Sequence, residues 1–96
     1  MGYKVLIARD AQEFVNSLPI KSQNIVKENL KKLRNNPYPG KGSGDKEKLI
    51  YQGKSLYRLH IVRSFTAFYM IYDDEGVVKI LRVMTIDAAH KRYGRL

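Results

Sequence analysis

Residues 49–84 decide the fold, and they read LIYQGKSLYRLHIVRSFTAFYMIYDDEGVVKILRVM. Apolar and polar side chains alternate along most of this stretch with a period of two, as they do in β-strands. Turn-forming residues interrupt it three times, which predicts four antiparallel strands at residues 49–52, 56–63, 65–73 and 77–84. Both faces of the third strand are apolar or aromatic, so we expect it to lie centrally in the sheet.

The sequence before this stretch predicts one strand, two helices and a loop. Residues 3–8 are rich in β-branched and aromatic side chains, which favour a strand. Asp10 and Glu13 have the spacing of a capping box at the start of a first helix, and Pro19 suits the first turn of a second helix. That second helix should end where the glycine- and proline-rich surface loop of residues 36–48 begins.

After the last strand, Thr85 can cap a short C-terminal helix or tail. We therefore predict an α+β fold for residues 1–96 as a single domain. It consists of an N-terminal strand, two antiparallel helices and a four-stranded antiparallel meander forming one twisted sheet. The three glycines of the loop do not indicate a nucleotide-binding loop, because such a loop follows a strand and opens a helix.

The charge of the chain points to the kind of partner it binds. Eighteen Lys and Arg residues against nine Asp and Glu give a net charge of +9, which favours a polyanion or an acidic protein. Cysteine is absent, and the two histidines lie thirty residues apart with no nearby acidic cluster, so we expect no metal and no cofactor. The apolar run at residues 5–8 is too short for a signal peptide, which predicts a cytoplasmic protein without a membrane partner.

Both histidines lie among basic and aromatic residues, a setting that suits RNA chemistry. Metal-independent RNA cleavage needs a base for the ribose 2′-OH, donors for the phosphate charge and an acid for the leaving 5′-oxygen. We predict catalytic roles for four residues, Arg58, His60, His90 and Tyr93. We predict RNA binding for six further cations, Lys54, Arg63, Arg82, Lys91, Arg92 and Arg95. The alternative for each histidine is an ordinary packed or solvated side chain.

The order of these elements, together with several local motifs, resembles the RelE/ParE superfamily of toxins from toxin–antitoxin pairs. The resemblance covers nearly all of the chain. The motifs that carry it are Tyr3-Lys4-Val5, Leu30-Lys31-Lys32-Leu33-Arg34-Asn35-Asn36-Pro37, Leu56-Tyr57-Arg58-Leu59-His60-Ile61, Phe68-Tyr69, Ile71-Tyr72-Asp73, Val77-Val78-Lys79-Ile80-Leu81-Arg82-Val83 and His90-Lys91-Arg92-Tyr93.

Resemblance to the RelE branch implies a ribosome-dependent endoribonuclease that cuts mRNA in the ribosomal A site and thereby stops translation. It matches Arg58 and His60 to basic residues that bind the cleavage region, and residues 90–93 to the C-terminal part of the site. It also implies three partners, namely a cognate antitoxin, the ribosome with its mRNA, and operator DNA bound through the toxin–antitoxin complex.

Two alternatives stay open at this point. Thr66 stands where RelE-type enzymes usually carry an arginine, and Met84-Thr85-Ile86 replaces their glycine-then-basic step. The ParE branch shares the fold but inhibits DNA gyrase by protein contact, without cutting RNA. The other alternative is an inactive nucleic-acid-binding relic.

Overall fold

The structure, a computed structural model, describes residues 2–40 and 45–93, without the side chain of Tyr93. Its elements in chain order are β1 (Lys4–Ile7), α1 (Arg9–Asn16), α2 (Ile20–Lys31), β2 (Lys46–Tyr51), β3 (Lys54–Ile61), β4 (Phe65–Tyr72), β5 (Val77–Thr85) and α3 (Ile86–Tyr93). Short 3-10 turns follow α2 and β4. The predicted α+β fold, with one open sheet and a short C-terminal helix, is confirmed.

Two local predictions differ from the structure, and a third is confirmed. The strand β2 begins at Lys46, so residues 46–48 belong to the sheet and the loop before it is shorter than predicted. No side-chain hydrogen bond caps the start of α1, where Glu13 instead forms an ion pair with Arg9, so the predicted capping box is wrong. At the other end of the chain Thr85 does cap, because its hydroxyl accepts the N–H of Ala88.

The five strands form one sheet in the order β1-β5-β4-β3-β2. The strands β2 to β5 are the predicted antiparallel meander, and β4 lies at the centre as expected. The strand β1 joins the edge of this meander in parallel to β5, with Val5 opposite Val78. The sequence did not predict this pairing, which brings the first and last strands together across most of the chain.

The two faces of the sheet are covered unequally. On one face, α1 and α2 pack through Ala11, Val15, Val26 and Leu30 onto a core of alternating residues that continues through Leu59, Ile61, Ala67, Tyr69, Val78, Ile80 and Val83. On the other face, which we call the open face, Ala89 of α3 packs in a smaller cluster with Leu56, Phe68 and Met84. The short α3 therefore covers part of the open face.

No helix within residues 2–40 and 45–93 combines the length and the apolar character that crossing a membrane requires.

Candidate active site

The open face carries one row of charged and aromatic side chains across three pairs of strands. Glu47 of β2 lies opposite Arg58 of β3, Arg58 lies opposite Phe68 of β4, and Phe68 lies opposite Arg82 of β5. Residues two apart on a strand share a face, so His60 lies on the open face beside Arg58. The strand register thus brings three of the predicted site residues to one face.

Arg58, Glu47 and His60 form a linked cluster. The Arg58 guanidinium donates to one carboxylate oxygen of Glu47, and only 8% of the Arg58 side chain is exposed. The other oxygen, Oε1, lies 3.7 Å from Nε2 of His60, which is 34% exposed. Glu47 therefore connects an interior guanidinium to an imidazole that solvent can reach.

Glu47 is the site residue that the sequence reasoning missed. It was assigned to the loop before the first strand of the meander, where no motif distinguishes it. The structure extends that strand back to Lys46 and places Glu47 on the same face as Leu49 and Tyr51. The period of two, followed backwards from Leu49, is the signal that could have found it.

The helix α3 carries the second predicted basic segment and packs on the open face. Its first N–H, from Ile86, donates to the carbonyl of Ser64 in the turn between β3 and β4. His60 lies opposite Thr66, and Thr66 lies opposite Met84, so His60 occupies the strand row next to the start of α3. His90, Lys91 and Arg92 lie on this helix with exposed side chains. The side chain of Tyr93 and all of Arg95 lie outside the described residues.

The remaining predicted cations are spread along the sheet. Arg82 is partly exposed and lies 3.7 Å from the carboxylate of Asp10 at the start of α1. Arg63 is exposed in the turn beyond β3, near the end where His60 lies. Lys54 opens β3 and lies six positions before His60, which places the two residues about 20 Å apart along the strand. The structure therefore does not bring Lys54 to the histidine.

A second polar cluster fastens the segment that leads into β2. The hydroxyls of Tyr38 and Tyr3 both donate to the carboxylate of Asp73, the latter at 2.7 Å. The hydrogen bond from Tyr38, followed by that from Tyr3, lowers the pKa of Asp73, and the bond to Asp73 raises the pKa of both phenols. Tyr38 also packs edge-on against Tyr57. These contacts hold the start of the loop against the sheet.

Tyr69 illustrates an aromatic residue that the site cannot use. Its hydroxyl donates to the carbonyl of Pro37 at 2.6 Å inside the helix-covered core. Burial raises the pKa of this phenol. Tyr69 therefore serves the packing of the helix-covered core.

The cluster has the groups that move protons but not those that hold a metal. An imidazole beside a carboxylate can accept a proton, because the carboxylate stabilises the imidazolium that forms. Across residues 2–40 and 45–93, no group of three or more His, Cys, Asp and Glu side chains is placed to hold a metal ion. The arrangement suits acid–base chemistry, and α3 with its cations covers part of the same sheet face.

Comparison with known proteins gives a family and a set of similar folds. The family model for the ParE toxin of the parDE type II toxin–antitoxin system matches residues 6–85. The comparison with curated proteins finds no significant match.

Among solved structures, a chain of the archaeal RelE–RelB complex from Pyrococcus horikoshii is 27% identical, over 88% of this chain and 96% of its own length, with a TM-score of 0.72. The RelBE2 toxin–antitoxin complex from Mycobacterium tuberculosis matches at 21% identity, over 88% of this chain and 99% of that one, with a TM-score of 0.74. A mutant of the E. coli toxin RelE in the free state matches at 16% identity, over 98% of this chain and 94% of that one, with a TM-score of 0.62. At their lower identities, the last two show the fold alone.

Proposed function

This chain belongs to the ParE toxin family of type II toxin–antitoxin systems, within the RelE/ParE superfamily, and we propose that it acts as a ribosome-dependent mRNA endoribonuclease. In this proposal it is a cytoplasmic toxin that cleaves mRNA in the ribosomal A site and so inhibits translation. The observation that carries the proposal is the Arg58–Glu47–His60 cluster on the same sheet face as the basic helix α3.

Each member of the cluster has a distinct role in the proposed reaction. His60 takes the proton from the ribose 2′-OH, since its imidazole is within reach of solvent and its Nε2 lies 3.7 Å from Oε1 of Glu47. Glu47 holds the imidazole, and Arg58 holds Glu47 from the interior of the sheet face. Because little of its side chain is exposed, Arg58 acts as a positioning residue while its ion pair with Glu47 is formed.

The reaction needs no metal. The 2′-oxygen loses its proton to His60 and attacks the adjacent phosphorus, and the bond from phosphorus to the 5′-oxygen breaks. A proton donated from α3, where His90 is exposed, goes to that 5′-oxygen. The products are a 2′,3′-cyclic phosphate and a 5′-hydroxyl end.

The cations around the cluster supply charge for the phosphates. Lys91 and Arg92 lie on α3, which packs on the same face of the sheet, and Arg63 lies in the turn that follows the His60 end of β3. Arginine and lysine side chains stabilise the charge that develops on the phosphate oxygens during attack. Arg82 is the fourth such cation, and its guanidinium lies 3.7 Å from the carboxylate of Asp10 at the start of α1.

The test is cleavage of mRNA in a translation reaction with purified ribosomes. Adding the chain should produce new 5′-hydroxyl mRNA ends within codons at the A site, and naked mRNA should stay intact. His60→Ala should lower the cleavage rate by about a hundredfold or more, as expected for loss of a general base. Lys21→Ala, which removes an exposed cation from the far side of α2, is the control and should cleave as well as the unchanged chain. Intact mRNA on arrested ribosomes would rule out this function.

A second candidate is inhibition of DNA gyrase by protein contact, and two observations favour it. The matching family model is that of the ParE toxin. Thr66 is buried, with its hydroxyl 3.3 Å from the carbonyl of Leu59, at the position where a RelE-type arginine was expected. A DNA supercoiling assay separates the two functions: a gyrase inhibitor stops supercoiling and keeps its potency in the His60→Ala variant, whereas the proposed nuclease leaves supercoiling unchanged.

We also propose a cognate antitoxin as the partner in the cell, and operator DNA as a ligand of the toxin–antitoxin complex. The net charge of +9 supports an acidic partner, because opposite charge raises the rate of encounter. Co-expression with the neighbouring reading frame, followed by purification of a stable complex, tests the first of these partners. Binding of that complex to the promoter fragment tests the second.

A further inference from the structure

The half of the open face that lies away from His60 carries an apolar surface, which we call the shelf. Its side chains come from all four strands of the meander, and they are Leu49, Tyr51, Leu56, Met70 and Leu81. Leu56 is buried and the other four are half-buried. Four of the five line a pocket of about 250 Å³, together with Gln52, Lys54 and Ser55. The shelf is therefore an apolar surface with space beside it for a ligand.

A β-bulge in β5 widens the shelf. The pairing of β4 with β5 shifts between Phe68 and Tyr69, which leaves Leu81 as an extra residue on β5. Leu81 packs in the open-face cluster, and the next residue, Arg82, lies on the same face opposite Phe68. Two consecutive side chains of β5 thus share the open face, and the first of them adds to the apolar surface.

Two lysines flank the shelf. Lys54 lies opposite Tyr51 of β2, and Lys79 lies opposite Met70 of β4. Both lysine side chains are exposed, and neither forms an ion pair with a described residue. The strands that carry them, β3 and β5, are two strand spacings apart, or roughly 10 Å. A planar ring on the shelf would therefore have a positive charge on either side.

The acidic residues at this end of the sheet lie in the turn beyond β4. They are Asp73, Asp74 and Glu75, and they line a different pocket with Tyr72. None of them lines the pocket on the shelf. Tyr72 is thus set among carboxylates that repel phosphate, whereas Tyr51 has Lys54 as its cross-strand neighbour. Tyr51 is the aromatic side chain that suits an anionic ligand.

We propose that the shelf is a subsite for single-stranded RNA, which holds nucleotides of the message a short distance from the bond that is cleaved. A base stacks on the ring of Tyr51, and Lys54 and Lys79 bind the neighbouring phosphates. Lys54 is about 20 Å from His60 along β3, so these nucleotides belong to the bound strand but not to the scissile linkage. The proposal rests on the proposed nuclease function, since it takes RNA as the substrate.

The properties of the shelf favour RNA over a protein partner. A stable protein interface needs a broad patch whose core is exposed before binding, and every side chain of the shelf is already buried or half-buried. A base needs one aromatic ring with apolar neighbours, and its phosphates need cations that are not already paired. Duplex RNA does not fit, because its bases are stacked and paired with one another. The shelf therefore suits an unpaired nucleotide.

The experiment is a binding titration of the full chain with a fluorescein-labelled RNA of nine nucleotides whose 2′-oxygens are methylated. Methylation removes the 2′-OH that the cleavage reaction needs, so fluorescence anisotropy measures binding alone. The double variant Lys54→Gln, Lys79→Gln should weaken binding by about tenfold or more. It should also lower the slope of log affinity against log salt by about 1.4, since two phosphate contacts are lost. The matched variant Lys21→Gln, Lys32→Gln removes the same charge away from the open face and should keep both values.

Replacing Tyr51 separates stacking from charge. Tyr51→Leu keeps an apolar side chain but removes the ring, and it should weaken binding of the nine-nucleotide RNA by about fivefold or more. Tyr51→Phe keeps the ring and should retain the affinity. A duplex of the same sequence should bind equally well to the unchanged chain and to Tyr51→Leu, because its bases are not available for stacking.

A measurement on the unchanged chain covers the case in which a variant does not fold. With the methionine methyl groups labelled for NMR, the Met70 resonance should shift when the nine-nucleotide RNA is added, because the ring current of a base on the shelf reaches that methyl group. A Met70 resonance that stays in place, equal losses in the two double variants, or full affinity in folded Tyr51→Leu would overturn the proposal. So would an acidic amphipathic peptide that shifts the Met70 resonance where RNA does not, since a protein would then be the occupant.

Failure of this proposal is distinguishable from failure of the nuclease function. All of these readouts use RNA that cannot be cleaved, and none of them involves ribosomes. Binding that depends on Tyr51 and the two lysines supports the subsite even if mRNA on ribosomes stays intact. Cleavage of ribosome-bound mRNA together with binding that does not depend on these residues overturns the subsite and leaves the nuclease function standing.

Discussion

The two partners of the Arg58–Glu47 ion pair should differ greatly in how much their replacement lowers the free energy of unfolding. Glu47→Met leaves a guanidinium that is only 8% exposed without its carboxylate. Arg58→Met leaves a carboxylate that is 43% exposed and that water can solvate, and it adds an apolar side chain beside Phe68. Breaking a buried pair is costly when the remaining charge stays buried, and mild when that charge reaches water.

The difference can be put in numbers. We expect Glu47→Met to lower the free energy of unfolding by about 2 kcal/mol, less than the roughly 3–5 kcal/mol of a fully buried pair, because one partner here is half-exposed. For a domain of this size that loss corresponds to a Tm lower by roughly 8–16 °C. Arg58→Met should lower the free energy of unfolding by less than about 1 kcal/mol, and the double variant should lie close to Arg58→Met.

The assay is urea unfolding followed by circular dichroism, with the four proteins of a double-mutant cycle measured at one pH and one salt concentration. The second replacement should restore most of the stability lost in Glu47→Met. Equal losses in the two single variants would refute the reasoning, because they would mean that exposure does not decide which charge is costly. A double variant as unstable as the sum of the two would refute it as well.

Three further predictions concern other parts of the fold. The pKa of Asp73 is lowered in the folded chain. The stability that this carboxyl group contributes is therefore present above its unfolded pKa of about 3.9 and is lost as the pH falls through its folded pKa. Thermal melts across acidic pH should show this loss of stability, and Tyr38→Phe should make the loss smaller. Val62 has a φ of +49° in the turn between β3 and β4, so Val62→Asn should raise the free energy of unfolding by up to about 1 kcal/mol, whereas the same change at Arg63 should not. Tyr69→Phe removes the donor to the buried carbonyl of Pro37 and should lower the free energy of unfolding by about 1 kcal/mol in a urea titration.

Much of the fold follows from patterns that neighbouring residues share. The alternation in residues 49–84 predicts the meander, and the apolar side chains on both faces of the third strand predict the central place of β4. The start of α1 was mispredicted, since capping depends on side-chain direction rather than on spacing alone. The same local reasoning found the two basic segments, but it could not measure how far Lys54 lies from His60.

Local pattern was enough to establish the α+β class, the strands of the meander and the basic character that suits an acidic partner. The parallel pairing of β1 with β5, the ion pair of Arg58 with Glu47 and the shelf of the open face needed the folded chain. Each of these features joins residues distant in sequence, and periodicity carries no information about which distant residues meet. Packing of the whole sheet decides those contacts, because burying the apolar faces leaves a single arrangement of strands in which β1 reaches β5 and Glu47 reaches Arg58.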